Sequence, residues 1–136
     1  MNMKAPRART PELNCTAEKA EKLAALITPT TDYTLIKDVD LVVEAVFENS
    51  ELKARITKMA EEQLGETAVM GSNTSTLPIT GLAEASVRPE NFIGIHFFSP
   101  VEKMMLVEII MGDNTGDYAL SRAIDYVTKI KKTPIV

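Results

Sequence analysis

The sequence is poor in the residue types on which several common binding chemistries depend. Among its 136 residues there is one cysteine, Cys15, one histidine, His96, and no tryptophan. A single cysteine excludes an intramolecular disulfide, and one cysteine with one histidine argues against a zinc site with several such ligands. We therefore expect a reducing, cytoplasmic setting and no bound metal.

Basic residues and long apolar runs are also scarce. The net charge is −4, so no surplus of basic residues is available to neutralise a nucleic-acid backbone. The longest apolar runs, such as Leu41 to Phe47, fall far short of the ~20 residues that cross a bilayer. The first nine residues contain Lys4, Arg7 and Arg9, but no apolar stretch of signal-peptide type follows them. We expect neither a nucleic-acid partner nor a membrane span.

The glycines form no recognised nucleotide-binding motif. None of the six belongs to a G-x-G-x-x-G turn or to a phosphate loop that ends in Gly-Lys-Ser/Thr. Their spacing alone therefore gives no indication of nucleotide binding.

The hydrophobic pattern alternates between two periods. Continuous β-branched runs typical of covered strands are followed by segments with apolar residues at helical spacing. Strands are predicted at Leu41 to Phe47, Thr67 to Met70, Phe92 to Phe97, Met105 to Ile110 and from Pro134. Helices are predicted at Pro11 to Leu26, Asn49 to Gly65, Ile79 to Ala85 and Asp117 to Lys132. This order is typical of a single α/β domain with a largely parallel sheet.

Polar turns follow three of the predicted strands. They are Asn49, Ser72 to Ser75, and His96 to Ser99. In open α/β sheets, ligands bind outside the carboxyl ends of the strands. We therefore expect the three turns to share one rim of the sheet, with Asn49 or Ser50 capping the helix that follows.

His96 and Glu108 are the strongest candidates for chemistry. Histidine is the side chain whose ordinary pKa suits proton transfer near neutral pH. Glu108 has apolar neighbours on both sides, so we expect a buried carboxylate that needs a partner. If the connection from Ser99 to Met104 folds the two strands antiparallel, Glu108 can orient the imidazole of His96. A surface histidine beside an edge-strand glutamate explains the same spacing equally well.

Other polar residues near the predicted rim have structural explanations as well. Ser75 can hydrogen-bond a substrate or cofactor, but serine-rich loops commonly satisfy their own backbone. Glu44 interrupts an apolar strand, while Glu48 and Lys53 lie at the start of the next helix. Acidic residues near a helix N-terminus stabilise the helix without any further role.

Three runs in order carry a family resemblance. DLVVEAVFENSELK, GSNTSTLPITGLA and NFIGIHFFSPVEKMMLVEII resemble the NAD-binding domain of 3-hydroxyacyl-CoA dehydrogenases, and HFFSPVEKM looks like the multifunctional fatty-acid oxidation type. The resemblance covers about Thr28 to Val136. It implies a Rossmann-like fold, an NAD cofactor, an acyl-CoA substrate and a role in fatty-acid β-oxidation.

The resemblance also implies roles for individual residues. His96 matches the general base that takes the 3-hydroxyl proton, and Glu108 matches the carboxylate that orients it. Ser75 matches a serine that contacts substrate and cofactor. The remaining matches line the NAD site: Glu48, Lys53 and Ser99, the last of which is asparagine in monofunctional relatives. Asn73 is expected to help shape the loop.

The same resemblance predicts that the 136 residues are a partial, doubly wound domain. The family's glycine-rich first βαβ unit has no counterpart here, so we expect weak or no activity from the isolated chain. We also expect a homo-oligomer, or contacts with further domains, to cover strand edges left unpaired. The first alternative is a non-catalytic dehydrogenase-like binding or assembly module. The second is another hydroxyacid dehydrogenase with a different base, which HFFSPVEKM disfavours.

Overall fold

The computed structural model describes residues 16–136, which fall into two compact units. Residues 16–31 belong to the first unit and residues 32–136 form the second. The described part of the first unit contains helix α1, Ala17–Ala24, which Thr16 caps by accepting a hydrogen bond from the amide of Lys19. The predicted helix start at Pro11 lies outside the described residues.

The second unit is built on one five-stranded sheet. Its strands are β1 (Leu41–Glu44), β2 (Val69–Ser72), β3 (Phe92–Phe97), β4 (Leu106–Ile110) and β5 (Thr133–Ile135), in that spatial order. Every neighbouring pair is parallel except β3 and β4, which are antiparallel. The α/β prediction is therefore confirmed, as is the antiparallel turn after β3.

Helices cover the sheet on both faces. They are α2 (Ser50–Glu61), α3 (Ile79–Ala83) and α4 (Asp117–Lys129), with short 3-10 turns at Tyr33–Ile36 and Pro89–Asn91. Helices α2 and α3 pack against one face through a core that includes Met70 and Phe92. Helix α4 packs against the other face through a core that includes Val69 and Ile93. Because successive strand residues point to opposite faces, neighbouring residues of one strand serve different cores.

Close packing places a glycine in the middle of the sheet. A Cβ atom on Gly94 of β3 would lie 2.7 Å from Cδ1 of Ile79 and 2.9 Å from Cβ of Ile110. The Ile79 side chain can move, but the Ile110 Cβ is fixed by the β4 backbone. Only a residue without a side chain therefore lets α3 approach the sheet this closely.

Several predicted boundaries differ from the observed ones. Strand β1 ends at Glu44 rather than Phe47, because the Glu44 carboxylate accepts a hydrogen bond from the amide of Val46 and turns the chain. Gly71 and Ser72 belong to β2 rather than to the loop after it. Glu108 is not buried as predicted: its side chain is 44% exposed, because it points to the face of β4 opposite the buried Val107.

The sheet has an outer edge at β1, which pairs only with β2 among residues 32–136. The expected self-association or contact with further domains stays a prediction. None of the helices within residues 16–136 has the length and apolar content to span a membrane.

Candidate active site

The expected rim forms where the parallel strands β1, β2 and β3 end. The Ser72 to Thr76 loop contacts the start of α2 through Thr74, whose hydroxyl donates a short hydrogen bond to Glu48. The same loop contacts the end of β3, where the amide of Phe97 donates to Oδ1 of Asn73 at 3.1 Å. Asn49 caps α2 by accepting from the amide of Leu52. The predicted shared rim is therefore confirmed.

His96 and Glu108 meet across the antiparallel strands. They are direct partners in the β3–β4 register, and Nδ1 of His96 lies 2.7 Å from Oε2 of Glu108. The His96 side chain is 17% exposed, and its ring lies 4.6 Å from the ring of Phe98, tilted by 51°. The hydrogen bond and the ring contact together restrict the orientation of the imidazole.

The pairing determines which imidazole nitrogen is available. A carboxylate next to Nδ1 favours the proton on that nitrogen, because Nδ1–H can then donate to Oε2. Nε2 is left with a free lone pair. The arrangement can therefore accept a proton at Nε2 while Glu108 stabilises the resulting positive charge.

Glu48 organises the loop after β2. Its Oε1 accepts hydrogen bonds from the Thr74 hydroxyl, the Ser75 amide, the Thr76 amide and the Thr76 hydroxyl. Burial alone would raise the pKa of the Glu48 carboxyl. The hydrogen bonds from Thr74, Thr76 and Ser75 outweigh that effect and lower the pKa from 4.5 to about 2. Glu48 is therefore ionised at neutral pH and holds the loop in one conformation.

Lys53, predicted to line a cofactor site, is buried beneath the rim. Its side chain is 2% exposed, and its ammonium group donates to both carboxylate oxygens of Glu44 and to the backbone carbonyl of Asn73. Oε2 of Glu48 lies 3.7 Å away. The charge of Lys53 thus acts inside the protein, between β1 and the loop.

The two predicted site serines lie on the surface. Ser75 and Ser99 are exposed, and neither hydroxyl is hydrogen-bonded within the described residues. The Ser75 amide is held by Glu48 at 3.0 Å, so its position is defined. Ser99 lies in the loop after β3, before a cis Ser99-Pro100 peptide bond, and within the described residues no hydrogen bond joins its side chain to the other candidate residues.

The site contains residues that sequence reasoning did not assign. Thr74 is buried and bridges Glu48 to the amide of Leu77. Glu44 and Ser72 are also buried and share a hydrogen bond. The signal available in the sequence was Glu44, a glutamate within an apolar strand, together with Lys53 nine residues later. In the structure the two side chains form an ion pair. Within residues 16–136, no group of three or more His, Cys, Asp or Glu is arranged to hold a metal.

The chain is similar in sequence to proteins of one family. A family model described as 3-hydroxyacyl-CoA dehydrogenase, NAD binding domain, matches residues 3–136, a longer stretch than the three motifs suggested. The chain is 52% identical over 116 residues to the fatty acid oxidation complex subunit alpha of Shewanella loihica. That alignment covers 85% of the chain but only 16% of the relative, so the chain spans about a sixth of the length of such proteins.

Solved structures give the same result. The (S)-3-hydroxybutyryl-CoA dehydrogenase PaaH1 from Ralstonia eutropha is 41% identical with a TM-score of 0.81, over 88% of this chain and 42% of that one. The dehydrogenase part of multifunctional enzyme 1 from C. elegans is 34% identical with a TM-score of 0.82, over 88% and 28%. The sheet is therefore Rossmann-like, and the chain belongs to the family of NAD-binding domains of 3-hydroxyacyl-CoA dehydrogenases.

Proposed function

We propose that this chain contributes the NAD-binding part and the general base of an enzyme that oxidises (S)-3-hydroxyacyl-CoA to 3-oxoacyl-CoA in fatty-acid β-oxidation. The single observation that carries the proposal is the 2.7 Å contact between His96 and Glu108 at the rim of the sheet. An imidazole oriented by a carboxylate is the arrangement that an alcohol oxidation needs, because the hydroxyl must lose its proton as hydride leaves the carbon.

Each residue of the pair has one task in this mechanism. Nε2 of His96 accepts the proton of the substrate 3-hydroxyl, and the C–O single bond becomes a carbonyl as the C3 hydrogen departs with its electron pair. Glu108 keeps the Nδ1–H oriented and stabilises the imidazolium formed. The imidazolium then returns its proton to solvent, which restores the base. NAD⁺, when bound, supplies the acceptor for the hydride.

The residues present fit one end of this cofactor. The Ser75 hydroxyl is exposed, without a partner among the described residues, on a loop whose amides are fixed by Glu48. Such a hydroxyl can bond a carboxamide or a substrate oxygen, as we propose for the nicotinamide end. None of the six glycines, all within the described part, belongs to a G-x-G-x-x-G turn of the kind that cradles a pyrophosphate.

The 44% exposure of the Glu108 side chain is the observation that favours a second candidate function. A dehydrogenase-like module without turnover would keep acyl-CoA or protein contacts and use the His96–Glu108 pair only as a structural link between strands. The two functions differ in whether proton transfer at His96 matters.

Calorimetric titration of the chain with NADH and then acetoacetyl-CoA, followed by an assay of NADH oxidation, separates the two functions. The dehydrogenase function predicts binding of both ligands and a rate that falls ~10²–10⁴-fold in His96→Gln. Glu108→Gln should also lower the rate, whereas Glu102→Gln should not, because Glu102 is an exposed carboxylate in the loop between β3 and β4. Binding of neither ligand, or a measurable rate that is equal in wild type and His96→Gln, would favour the non-catalytic module.

A further inference from the structure

A buried ion pair joins three segments directly below the rim. Over the whole residue, Glu44 at the end of β1 is 4% exposed to solvent and Lys53 of α2 is 1% exposed. The ammonium nitrogen of Lys53 lies 3.0 and 3.1 Å from the two carboxylate oxygens of Glu44. The hydroxyl of Ser72 at the end of β2 donates to Oε2 of Glu44 at 2.8 Å. One carboxylate thus holds β1, β2 and α2 together at their common end.

The ion pair is connected through Asn73 to β3, the strand that contains His96. Lys53 donates to the backbone carbonyl of Asn73 at 3.0 Å, and the amide of Asn73 donates to the backbone carbonyl of Glu44 at 2.7 Å. Oδ1 of Asn73 in turn accepts from the amide of Phe97, the residue after His96. Hydrogen bonds therefore link Glu44 to Lys53, Lys53 to Asn73, and Asn73 to β3.

Stability is a weak reason for this arrangement. Desolvation of two buried charges offsets most of their mutual attraction, and apolar residues of similar volume often replace such a pair without loss. The pair instead supplies a defined geometry, because the carboxylate accepts several hydrogen bonds and the ammonium donates several, each from a defined direction.

We propose that Glu44 is a positioning residue of the site. Through Lys53 and Asn73 it fixes the start of the Ser72 to Thr76 loop against the end of β3. Glu48 holds the following amides, so the position of Ser75 relative to His96 depends on both carboxylates. The roles given to Ser75 and His96 rest on the function proposed above, whereas the mechanical link between Glu44 and the loop does not depend on it.

Amide hydrogen exchange, measured by NMR on the isotope-labelled chain, tests this link without cofactor or substrate. In Glu44→Gln, the amides of Ser75, Thr76 and Phe97 should exchange at least ~tenfold faster, while core amides such as that of Ile95 change much less. A role confined to overall stability would instead accelerate rim and core amides together.

Glu61→Gln is the matched control. Glu61, like Glu44, is a buried glutamate that accepts hydrogen bonds, here from the Ser86 hydroxyl and the Val87 amide. It lies at the C-terminal end of α2, whereas Lys53 lies near the N-terminal end. Its replacement should leave exchange at the Ser75 amide unchanged relative to the core. If Glu61→Gln increased the exchange rate of the Ser75 amide as much as Glu44→Gln does, the proposal would be overturned.

A double variant covers the case in which Glu44→Gln does not fold. Glu44→Leu combined with Lys53→Met removes both charges and leaves no buried ion unpaired. We expect a folded protein with wild-type exchange in the core and fast exchange at the rim. Equal protection of rim and core, or failure of the double variant to fold, would overturn the proposal. If only the NADH-oxidation assay gave a negative result, the function proposed above would fail, but the proposed link between Glu44 and the loop would not.

Discussion

Replacing Glu48 by glutamine should remove a defined part of the pH dependence of folding. The carboxylate accepts hydrogen bonds from Thr74, Ser75 and Thr76 in the folded chain, which lower its pKa from 4.5 to about 2. Because the folded pKa is below the unfolded one, the stabilisation is complete above pH ~4.5 and disappears as the pH falls through ~2.

The size of the effect follows from the two pKa values. They differ by about 2.5, which at ~1.36 kcal/mol per unit gives an upper limit of ~3.4 kcal/mol. The Glu48 side chain is 35% exposed, so solvent screening reduces the expected contribution to ~1–2 kcal/mol. Wild type should therefore be more stable than Glu48→Gln by this amount at pH 7.

Urea unfolding of both proteins between pH 7 and pH 2 measures this difference. The gap in unfolding free energy should be constant down to pH ~4.5, shrink below that value and vanish near pH 2. Glu84→Gln is the control, because Glu84 is exposed and its side chain accepts no hydrogen bond from the described residues. A Glu48→Gln gap that does not change with pH would refute the reasoning.

Two further substitutions test the packing and the capping that position the site. Gly94→Ala should destabilise the protein by ~1–3 kcal/mol in chemical unfolding, because its Cβ would lie 2.9 Å from that of Ile110; an unchanged midpoint would show that β4 yields easily. Asn49→Ala should cost ~1 kcal/mol, since Asn49 caps α2 through the amide of Leu52 at 2.8 Å. Asn49→Ser should recover most of that loss. If Asn49→Ser were no more stable than Asn49→Ala, the capping role would be contradicted.

Local signals in the sequence were sufficient for the order of the elements. The β-branched run after Asp40 and the helical spacing after Asn49 depend on residues close in sequence, and both elements are present. The ends of the elements were less predictable. Strand β1 stops at Glu44 because a side chain captures the amide of Val46, and hydrophobic periodicity carries no information about such a bond.

The candidate site divides in the same way. The pairing of His96 with Glu108 followed from the sequence only on the condition that the short connection folds the two strands antiparallel, and the observed register meets that condition. The exposure of Glu108 was not, since apolar neighbours in sequence do not reveal which face of the sheet is covered.

By itself, the sequence determined the α/β class, the strands whose ends carry polar turns and the histidine available for proton transfer. These depend on periodicity and residue chemistry, which are local properties. Only the tertiary structure decided that Lys53 would be buried against Glu44 and that Glu48 would hold the loop containing Ser75. Those contacts join residues 9 and 27 positions apart. The first exists only once α2 has packed against β1, and the second only once β1 and β2 lie side by side.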